Sequence, residues 1–329
     1  MNAPPHHDDE DDNEQVFLDE SDIIHEVAMD NEDLPDADDD SELEEEDSNF
    51  VHKFTAHTGE LYSVSCSPTD AALVVTGSGD DRGFLWKIGQ GDWAFELQGH
   101  EESVSTLAFS YDGQQLASVS LDGIIKVWDV SGNLEGRNFE GPGGGIEWLR
   151  WDPRGHRLLA GSEDFSIWMW NTDNAALLKT FIGHGNSVTC GDFTPDGTDN
   201  IHEVVDNNAL ASHSDSIECV GFAPSGSWAA VGGMDKKLII WDIEHLLPRG
   251  TCEHEDGVSC LAWLGASYVA SGCVDGKVRL WDSRSGKCVK TLKGHSDAIQ
   301  SLSVSANHDY LVSASVDGTA CAFEVENFR

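Results

Sequence analysis

The chain has 329 residues, enough for one large or two ordinary domains, and carries 60 acidic against 19 basic side chains, a net charge of −41. Binding to phosphate requires basic patches, so this composition excludes nucleic acid as a direct partner and favours a basic protein. The eight cysteines show no pairing pattern, no apolar run approaches membrane-spanning length, and the N-terminus lacks the features of a signal peptide. We therefore expect a reduced, soluble monomer of the cytoplasm, with the nucleus as an additional location, and no membrane contact.

Residues 1–50 contain 22 acidic side chains and neither lysine nor arginine. Their low hydrophobicity and extreme charge predict a disordered acidic tail, because too little apolar surface is present to offset the entropy of folding. One apolar island at residues 21–27 interrupts the acidic run. Its residues Ile23, Ile24 and Val27 could form one face of a short helix that orders on binding, or they could stay part of an unfolded tail.

From residue 51 onward the chain consists of a repeat, which is clearest at residues 99–129. Stretches of alternating apolar and polar residues are separated there by Asp-Gly turns, and this pattern predicts short antiparallel strands joined by hairpins. The unit begins with Gly99-His100 and ends with Trp128-Asp129, the signature of a four-stranded propeller blade. One blade cannot bury its two faces alone, so the unit must recur. The sequence therefore predicts an all-β fold, a WD-repeat β-propeller over residues 51–329.

The anchor residues of this unit recur in register along the chain. Five repeats end on tryptophan and the last has Phe323, an aspartate precedes each of these anchors by six residues, and a histidine opens most repeats. The third repeat has Gly-Pro-Gly-Gly-Gly at residues 141–145, where the histidine is expected. The predicted structural anchors are His57, His100, His213, His254, His295, Asp80, Asp122, Asp164, Asp235, Asp275, Asp317, Trp86, Trp128, Trp170, Trp241 and Trp281.

These recurring histidines and aspartates share residue types with a hydrolase triad. A catalytic site occurs once, however, whereas this group recurs in nearly every repeat, and neither a nucleophile elbow nor a phosphate-binding loop accompanies it. We therefore expect a structural network rather than an enzyme. In each blade the loop histidine, the turn aspartate, the tryptophan indole and a strand serine would bond to one another. The serines expected in this role are Ser78, Ser120, Ser162 and Ser315.

One group of cysteine and histidine residues, Cys252, His254 and Cys260, is close enough in sequence to suggest zinc. His254 already serves as a blade histidine, and the spacing matches no common zinc motif. We therefore expect no metal and no cofactor. Other cysteines, such as Cys66 and Cys219, fall inside predicted strands, where a free thiol acts as a small buried apolar group.

The interval from Trp170 to Trp241 is anomalous, because it spans 71 residues where the other anchors are 40 to 42 apart. One ordinary repeat of 42 leaves 29 residues, and the distance from His184 to His213 is also 29. A repeat that begins near residue 185 must therefore end by residue 212, and it contains neither the turn aspartate nor the tryptophan anchor. We predict six full blades plus one incomplete blade near residues 185–212, and we expect 198–212 to be the least ordered part of the propeller.

The two ends of the repeat region are complementary. The pattern of residues 51–55 predicts an outermost strand, but no earlier repeat is present to which this strand could belong. The last repeat ends after its third strand, at residues 319–325. Pairing these two strands would close the ring and remove two exposed sheet edges.

Three segments resemble the angio-associated migratory cell protein family of WD-repeat proteins. They are the apolar island at 23–27, the segment at 144–153 with its run Ile146-Glu-Trp-Leu-Arg-Trp151, and the segment at 158–170. The resemblance covers most of the chain and implies a relationship to a fungal propeller that escorts a newly made large-subunit ribosomal protein. The family has more repeats, which implies that material is absent here between Gly197 and about Ala209.

Acidic residues recur in the loops that enter the first strand of each blade, and these loops lie on one rim of a propeller. Clustered acids steer and hold segments rich in lysine and arginine. An acidic residue after Gly-His can also merely tie its own loop. The expected partner-binding residues are Glu60, Glu101, Glu102, Glu163, Asp215, Glu255, Asp256 and Asp297.

Three classes of function follow from these observations. The first is a non-enzymatic scaffold or escort for a basic protein segment, which the resemblance extends to a ribosomal-protein chaperone in ribosome assembly. The alternative is a structural WD-repeat subunit of a larger signalling or trafficking complex, which predicts an extended exposed apolar patch. An enzyme in the central funnel would need a non-repeating cluster of acids, bases or metal ligands, and the sequence contains none.

Overall fold

The computed structural model describes residues 49–91, 94–131, 136–142, 144–183, 185, 190–193 and 213–328. The strands of these residues form six four-stranded antiparallel sheets, which we number as blades 1 to 6 in chain order. No helix among the described residues is long and apolar enough to cross a membrane. The predicted acidic tail and its apolar island lie outside the described residues, apart from Asn49 and Phe50.

The first strand of the chain, β1 (Phe50–Phe54), belongs to the last blade. Blades 1 to 3 contain β2 (Leu61–Cys66), β3 (Leu73–Ser78), β4 (Gly83–Lys87), β5 (Ala94–Leu97), β6 (Val104–Phe109), β7 (Gln115–Ser120), β8 (Ile125–Asp129), β9 (Gly136–Phe139), β10 (Ile146–Trp151), β11 (Arg157–Ser162), β12 (Ser166–Asn171) and β13 (Ala176–Ile182). Blades 4 to 6 contain β14 (Ile217–Phe222), β15 (Trp228–Gly233), β16 (Lys237–Asp242), β17 (Leu247–Glu253), β18 (Val258–Leu264), β19 (Tyr268–Cys273), β20 (Val278–Asp282), β21 (Lys287–Leu292), β22 (Ile299–Val304), β23 (Tyr310–Ser315) and β24 (Ala320–Glu324).

The hairpin turns form where the Asp-Gly pairs predict them. In blade 2, Gly113 and Gly123 have φ of +68° and +80°, a left-handed conformation that glycine adopts without a steric penalty. The carboxylates of Asp112 and Asp122 each accept the backbone N–H two residues ahead, at 3.1 and 2.8 Å. This side-chain hydrogen bond stabilises the turn and ends the strand before it.

The ring closes through the pairing of β1 with β24, as the sequence predicts. The two strands are antiparallel, with Phe54 opposite Ala320 and Phe50 opposite Phe323. Blade 6 therefore has the order β1-β24-β23-β22, and the N-terminal strand is its outermost member. A strand from one end of the repeat region thus completes the blade at the other end.

The hydrophobic core lies between neighbouring blades. Alternate residues of a strand face opposite sides, so Val74 packs with residues of blade 6 while Val75 packs with residues of blade 2. Comparable clusters join blades 2 and 3, blades 4 and 5, and blades 5 and 6. Five of the six junctions therefore bury apolar side chains from both blades.

Polar contacts add to this packing between the blades. The hydroxyl of Ser63 in β2 accepts the backbone N–H of Leu107 in β6 at 3.2 Å. His156 lies in the turn between β10 and β11 of blade 3 and is bonded to Asp112, in the turn between β6 and β7 of blade 2, at 3.0 Å. It is also bonded to Asp173, in the turn between β12 and β13, at 2.6 Å. The His156 side chain is mostly buried, and its hydrogen bonds connect blade 3 to blade 2.

The junction between blades 3 and 4 contains a short segment, residues 190–193. Phe193 is buried against the apolar side chains of blade 3. The carboxylate of Asp192 accepts the backbone N–H of Phe222 in β14 at 3.4 Å, and its other oxygen lies 4.0 Å from Nε of Arg150 in β10. The segment therefore lies between the innermost strands of the two blades, where an incomplete blade would place its first strand.

The rest of the predicted incomplete repeat lies outside the described residues. This part includes His184, the stretch at 198–212 that we expect to be least ordered, and the region after Gly197 where we expect material to be absent. The six described blades correspond to the six full blades that the anchor spacing predicts.

Candidate functional site

We call the first strand of each blade in chain order its inner strand, with β22 as the inner strand of blade 6. The loops that precede the inner strands lie on the same face of the propeller as the turns that follow the next strand of each blade. In every blade the first residue of that turn donates its backbone N–H to a loop carbonyl, at 2.9 to 3.0 Å. The donor and acceptor pairs are Gly79 and Glu60, Leu121 and Ser103, Glu163 and Gly145, Met234 and Ser216, Val274 and Gly257, and Val316 and Ala298. We call this surface, formed by the six loops and the six turns, the acidic face.

Blades 1, 4 and 6 hold this face together by a histidine–aspartate hydrogen bond. In blade 1, His57 Nδ1 lies 3.1 Å from Asp80 Oδ1, and His57 Nε2 lies 2.9 Å from the hydroxyl of Thr76. Burial lowers the pKa of His57 even though Asp80 opposes the shift, so the imidazole is neutral at pH 7. The contact to aspartate recurs in blades 4 and 6, where it joins His213 to Asp235 and His295 to Asp317, both at 2.9 Å.

Blades 2 and 5 use a different set of bonds. In blade 2, the hydroxyl of Ser118 contacts His100 Nε2 at 2.6 Å and accepts the indole N–H of Trp128 at 2.8 Å. In blade 5, Ser271 does the same for His254 and Trp281, each at 2.8 Å. Burial lowers the pKa of both His100 and His254 to about 4, so neither imidazole is charged at neutral pH.

A basic residue two positions before the tryptophan distinguishes these two blades. Arg279 lies 2.6 Å from Asp275, and His254 Nδ1 instead contacts the carbonyl of Cys252. Lys126 has the same place in blade 2, where Asp122 is exposed. The equivalent residues in the blades with a histidine–aspartate bond are Phe84, Ile239 and Cys321. In blade 5 the cation takes the aspartate away from the histidine, because a charged pair at this distance is stronger than a bond to neutral imidazole.

The expected four-membered network is therefore incomplete in each described blade. The prediction of the serine in this network is wrong for Ser78, Ser120, Ser162 and Ser315. The hydroxyls that reach the histidines, Thr76, Ser118, Ser271 and Ser313, lie two residues from the strand end. Residues two apart share a face of a strand, which is why the sequence pattern does not separate them. The predicted serines bond the loops instead, as Ser120 does to the carbonyl of Glu102 at 3.0 Å.

Blade 3 differs most, because the loop that enters its first strand has no histidine. Its loop is the glycine-rich stretch at 141–145, and the indole of Trp170 donates to the carbonyl of Glu140 at 3.2 Å. The carboxylate of Asp164 accepts both the N–H and the hydroxyl of Ser166. Backbone groups thus replace the histidine that the other blades supply.

The eight predicted partner-binding acids all lie on the acidic face, but they are not equivalent. Glu255 lies 3.0 Å from Lys277 Nζ and 3.4 Å from Arg279 Nη2, and Asp256 lies 3.6 Å from Lys236 Nζ. These two acids are partly neutralised by cations of the same chain. The other six are exposed and form no ion pair among the described residues; they are Glu60, Glu101, Glu102, Glu163, Asp215 and Asp297.

Two further acids belong to this surface and escape the loop pattern. Glu147 and Glu218 are the second residues of the inner strands β10 and β14. Partial burial raises the pKa of Glu147, and the nearby carboxylates of Glu163 and Glu218 raise it further. Their position at the start of the inner strand, beside the β-bulge of each of these strands, is the signal that could have identified them.

The described residues offer the acidic face little chemistry beyond charge and hydrogen bonding. Within the described ranges, no three His, Cys, Asp or Glu side chains are grouped so as to hold a metal ion. Burial raises the pKa of Cys252 and Cys260 to about 12, so both thiols stay protonated, and His254 is bonded to Ser271. The arrangement can attract and hold cationic groups.

Comparison with known proteins places this geometry in a family. The family model described as WD domain, G-beta repeat matches the chain at residues 48–87, 91–129, 135–171, 206–242, 247–282 and 286–324. Residues 172–205, where the incomplete repeat is predicted, fall outside all six matches.

Individual relatives agree with this match. The chain is 29% identical over 347 residues to the angio-associated migratory cell protein of Homo sapiens, covering 83% of this chain and 79% of that protein. It is 24% identical over 403 residues to an uncharacterized WD repeat-containing protein of Schizosaccharomyces pombe, covering 97% of this chain and all of that protein. Both alignments are longer than this chain, so both relatives contain residues without a counterpart here. WD40 repeat proteins are generally non-catalytic scaffolds that bind protein partners. With six matched repeats and six described blades, the chain belongs to the WD40 repeat family of β-propellers.

Proposed function

We propose that the chain is a non-catalytic interaction scaffold that binds a basic segment of a partner protein on its acidic face. The observation that carries this proposal is the set of six exposed acids that form no ion pair among the described residues. Buried acids of the face have partners within the chain, as Asp80 has in His57 and Asp275 has in Arg279. The exposed acids are therefore the charges available to another molecule.

The scaffold suits this role because it fixes the positions of the acids. Each loop is bonded to the turn of its own blade, so the carboxylates project from a rigid ring. Carboxylates held in place can form paired hydrogen bonds with arginine at little entropic cost. The 22 acids of residues 1–50 add attraction over longer distances, which salt screens beyond about 8–10 Å.

We extend the proposal to an escort role, in which the cargo is a newly made basic protein such as a protein of the large ribosomal subunit. This extension is supported by the resemblance of residues 23–27, 144–153 and 158–170 to a family related to a propeller with such a cargo, and by the charge of the chain. A ribosomal cargo would place the protein in the cytoplasm and the nucleus.

A charge-reversal variant with a matched control tests the proposal. The change Glu101→Lys with Glu102→Lys reverses two acids of the acidic face. The control, Glu244→Lys with Glu326→Lys, reverses two exposed acids near the opposite face, where the equivalent backbone bonds join Ile243 to Ser227 and Val325 to Asp309. The probe is a fluorescein-labelled peptide of alternating arginine and serine, with binding followed by anisotropy at 50 and 200 mM salt.

We expect the acidic-face variant to bind the probe about tenfold more weakly at low salt than the parent chain and the control. An exposed ion pair contributes about 0.2–1 kcal/mol, and reversal replaces each attraction with a repulsion, so two reversals reach the 1.4 kcal/mol that corresponds to a factor of ten. The difference should shrink at high salt. Equal affinity of the two variants would contradict the proposal and would favour a structural subunit whose contacts are apolar.

A further inference from the structure

The turns of blades 2 and 3 carry three of the exposed apolar side chains of the acidic face, and Met234 in the turn of blade 4 is also 38% exposed. Leu121 is 51% exposed, Ile124 is 38% exposed and Phe165 is 44% exposed. Leu121 and Ile124 belong to the turn between β7 and β8, and Phe165 belongs to the turn between β11 and β12. Exposed residues of this size contribute little to the core of their own blade, since hydrophobic stabilisation is proportional to the area removed from water.

Phe165 has a left-handed backbone with φ of +70°. Blades 2, 5 and 6 have glycine at the equivalent position, whereas blades 1 and 4 have the polar residues Asp81 and Lys236 there, with φ of +66° and +67°. Blade 3 is therefore the one that places an apolar side chain at this position. A left-handed conformation is disfavoured for a residue with a Cβ, and Phe165 leaves 44% of its surface exposed. Phenylalanine is therefore not the residue that the backbone of this turn favours.

The loop between the two turns is rich in glycine. It consists of residues 141–145, four of which are glycines, and Pro142 is buried. The loop packs directly under the blade 2 turn, because a Cβ built on Gly141 would lie 2.7 Å from the carbonyl oxygen of Gly123. On its other side, a Cβ on Gly145 would lie 3.1 Å from the carboxylate of Glu163. No exposed side chain of this loop stands between the apolar residues of the two turns.

The charges around these apolar residues are of one sign. Glu101 and Glu102 lie in the loop that enters blade 2, and Glu163 lies in the turn of blade 3, and all three are exposed. In blade 2, Lys126 Nζ lies 6.0 Å from the centre of the Trp128 ring. This surface complements a chain that is both apolar and cationic, and it repels anionic membranes and nucleic acid.

We propose that Leu121, Ile124 and Phe165, flanked by Glu101, Glu102 and Glu163, bind an extended segment of another protein in which an aromatic or aliphatic residue lies between lysines or arginines. This inference rests on the proposed function and adds a position and a sequence preference to it. The apolar residue of the segment packs against the three apolar side chains. The flanking cations pair with the acids on either side.

Two peptides and two variants test the proposal. The first peptide alternates arginine with leucine, the second is the alternating arginine and serine peptide of the charge-reversal experiment, and both carry fluorescein. The variant Phe165→Gly with Leu121→Ser removes the apolar contact and relieves the left-handed backbone, so the fold is not destabilised at residue 165. The control variant, Leu246→Gly with Leu247→Ser, makes matched changes on the opposite face, at the end of the turn after β16 and the first residue of β17, where Leu246 has φ of +53° and is 64% exposed.

The parent chain and the control variant should bind the leucine peptide about tenfold more tightly than the serine peptide. The Phe165→Gly and Leu121→Ser variant should lose this preference while its affinity for the serine peptide stays unchanged. A preference that survives in this variant, or one that disappears in the control variant, overturns the inference. The proposed function fails separately, if neither peptide binds the parent chain in a salt-dependent way or if reversal of Glu101 and Glu102 has no effect.

Discussion

Asp122 and Asp317 have the same place in the sequence repeat, and the structure predicts very different consequences of replacing them with alanine. Asp317 is bonded to His295 at 2.9 Å, to the backbone N–H of Ser296 at 3.1 Å, and to the N–H and hydroxyl of Thr319 at 2.9 and 2.6 Å. Asp122 is exposed, and its partner among the described residues is the turn N–H given above. Bonds to a charged group contribute about 1.5–3 kcal/mol each when buried and less when exposed.

We therefore expect Asp317→Ala to lower the free energy of unfolding by about 3 kcal/mol and Asp122→Ala by about 0.5 kcal/mol. Urea unfolding of the two variants beside the parent chain measures the difference as a shift of the midpoint at an unchanged slope. A second comparison tests the cause. Lys126→Ile gives blade 2 the residue that blade 4 has at this position, and Asp122→Ala should cost more in that background. Equal costs for the two aspartates in the parent chain would refute the assignment of two network types.

Three further outcomes follow from individual contacts. Burial lowers the pKa of His156, but the hydrogen bonds to Asp173 and Asp112 outweigh burial and raise the pKa above 6.5. The protonated imidazole therefore stabilises the fold below pH 6.5, and this stabilisation is lost as the pH rises through the raised pKa. His156→Gln should flatten the change in urea midpoint between pH 6 and 8. Gly161→Ala should lower the free energy of unfolding by about 1–3 kcal/mol, since the added Cβ would overlap the indole nitrogen of Trp148, and thermal unfolding measures the loss. Cys288 is the exposed thiol among the described residues, so it should react first with a thiol reagent, and Cys288→Ser should remove the fast phase of labelling.

The fold could be predicted because its determinants are local and repeated. The aspartate six residues before each anchor and the Asp-Gly turns mark the strand ends, and the closing strand follows from counting strands at the two ends. The pairing of Phe54 with Ala320 confirms that count. Register errors are unlikely to survive in such a chain, because a shift by one residue would expose the apolar side of every strand.

The site could be predicted only in part, because side-chain partners depend on neighbours that the repeat does not specify. Arg279 and Lys126 are visible in the sequence, but their effect on the aspartates requires knowing that the position two before the anchor faces the histidine. Glu255 and Asp256 match the loop pattern of Glu101, and only the structure shows that Lys277 and Lys236 neutralise them. The exposure of Phe165 likewise depends on the side chains around it, which the sequence repeat does not specify.

The pairing of β1 with β24 also sets the order of events during synthesis. Residue 50 leaves the ribosome before any blade exists, and its partner Phe323 is made after blades 1 to 5. Blades 1 to 5 can each form as their strands emerge, but blade 6 must wait for a contact that spans nearly the whole repeat region. Such long-range contacts form slowly, because the entropy of closing the loop is lost before the contact stabilises anything. Until that last strand arrives, β1 presents an unpaired edge, so the interval before ring closure is the period in which the nascent protein is most exposed to aggregation.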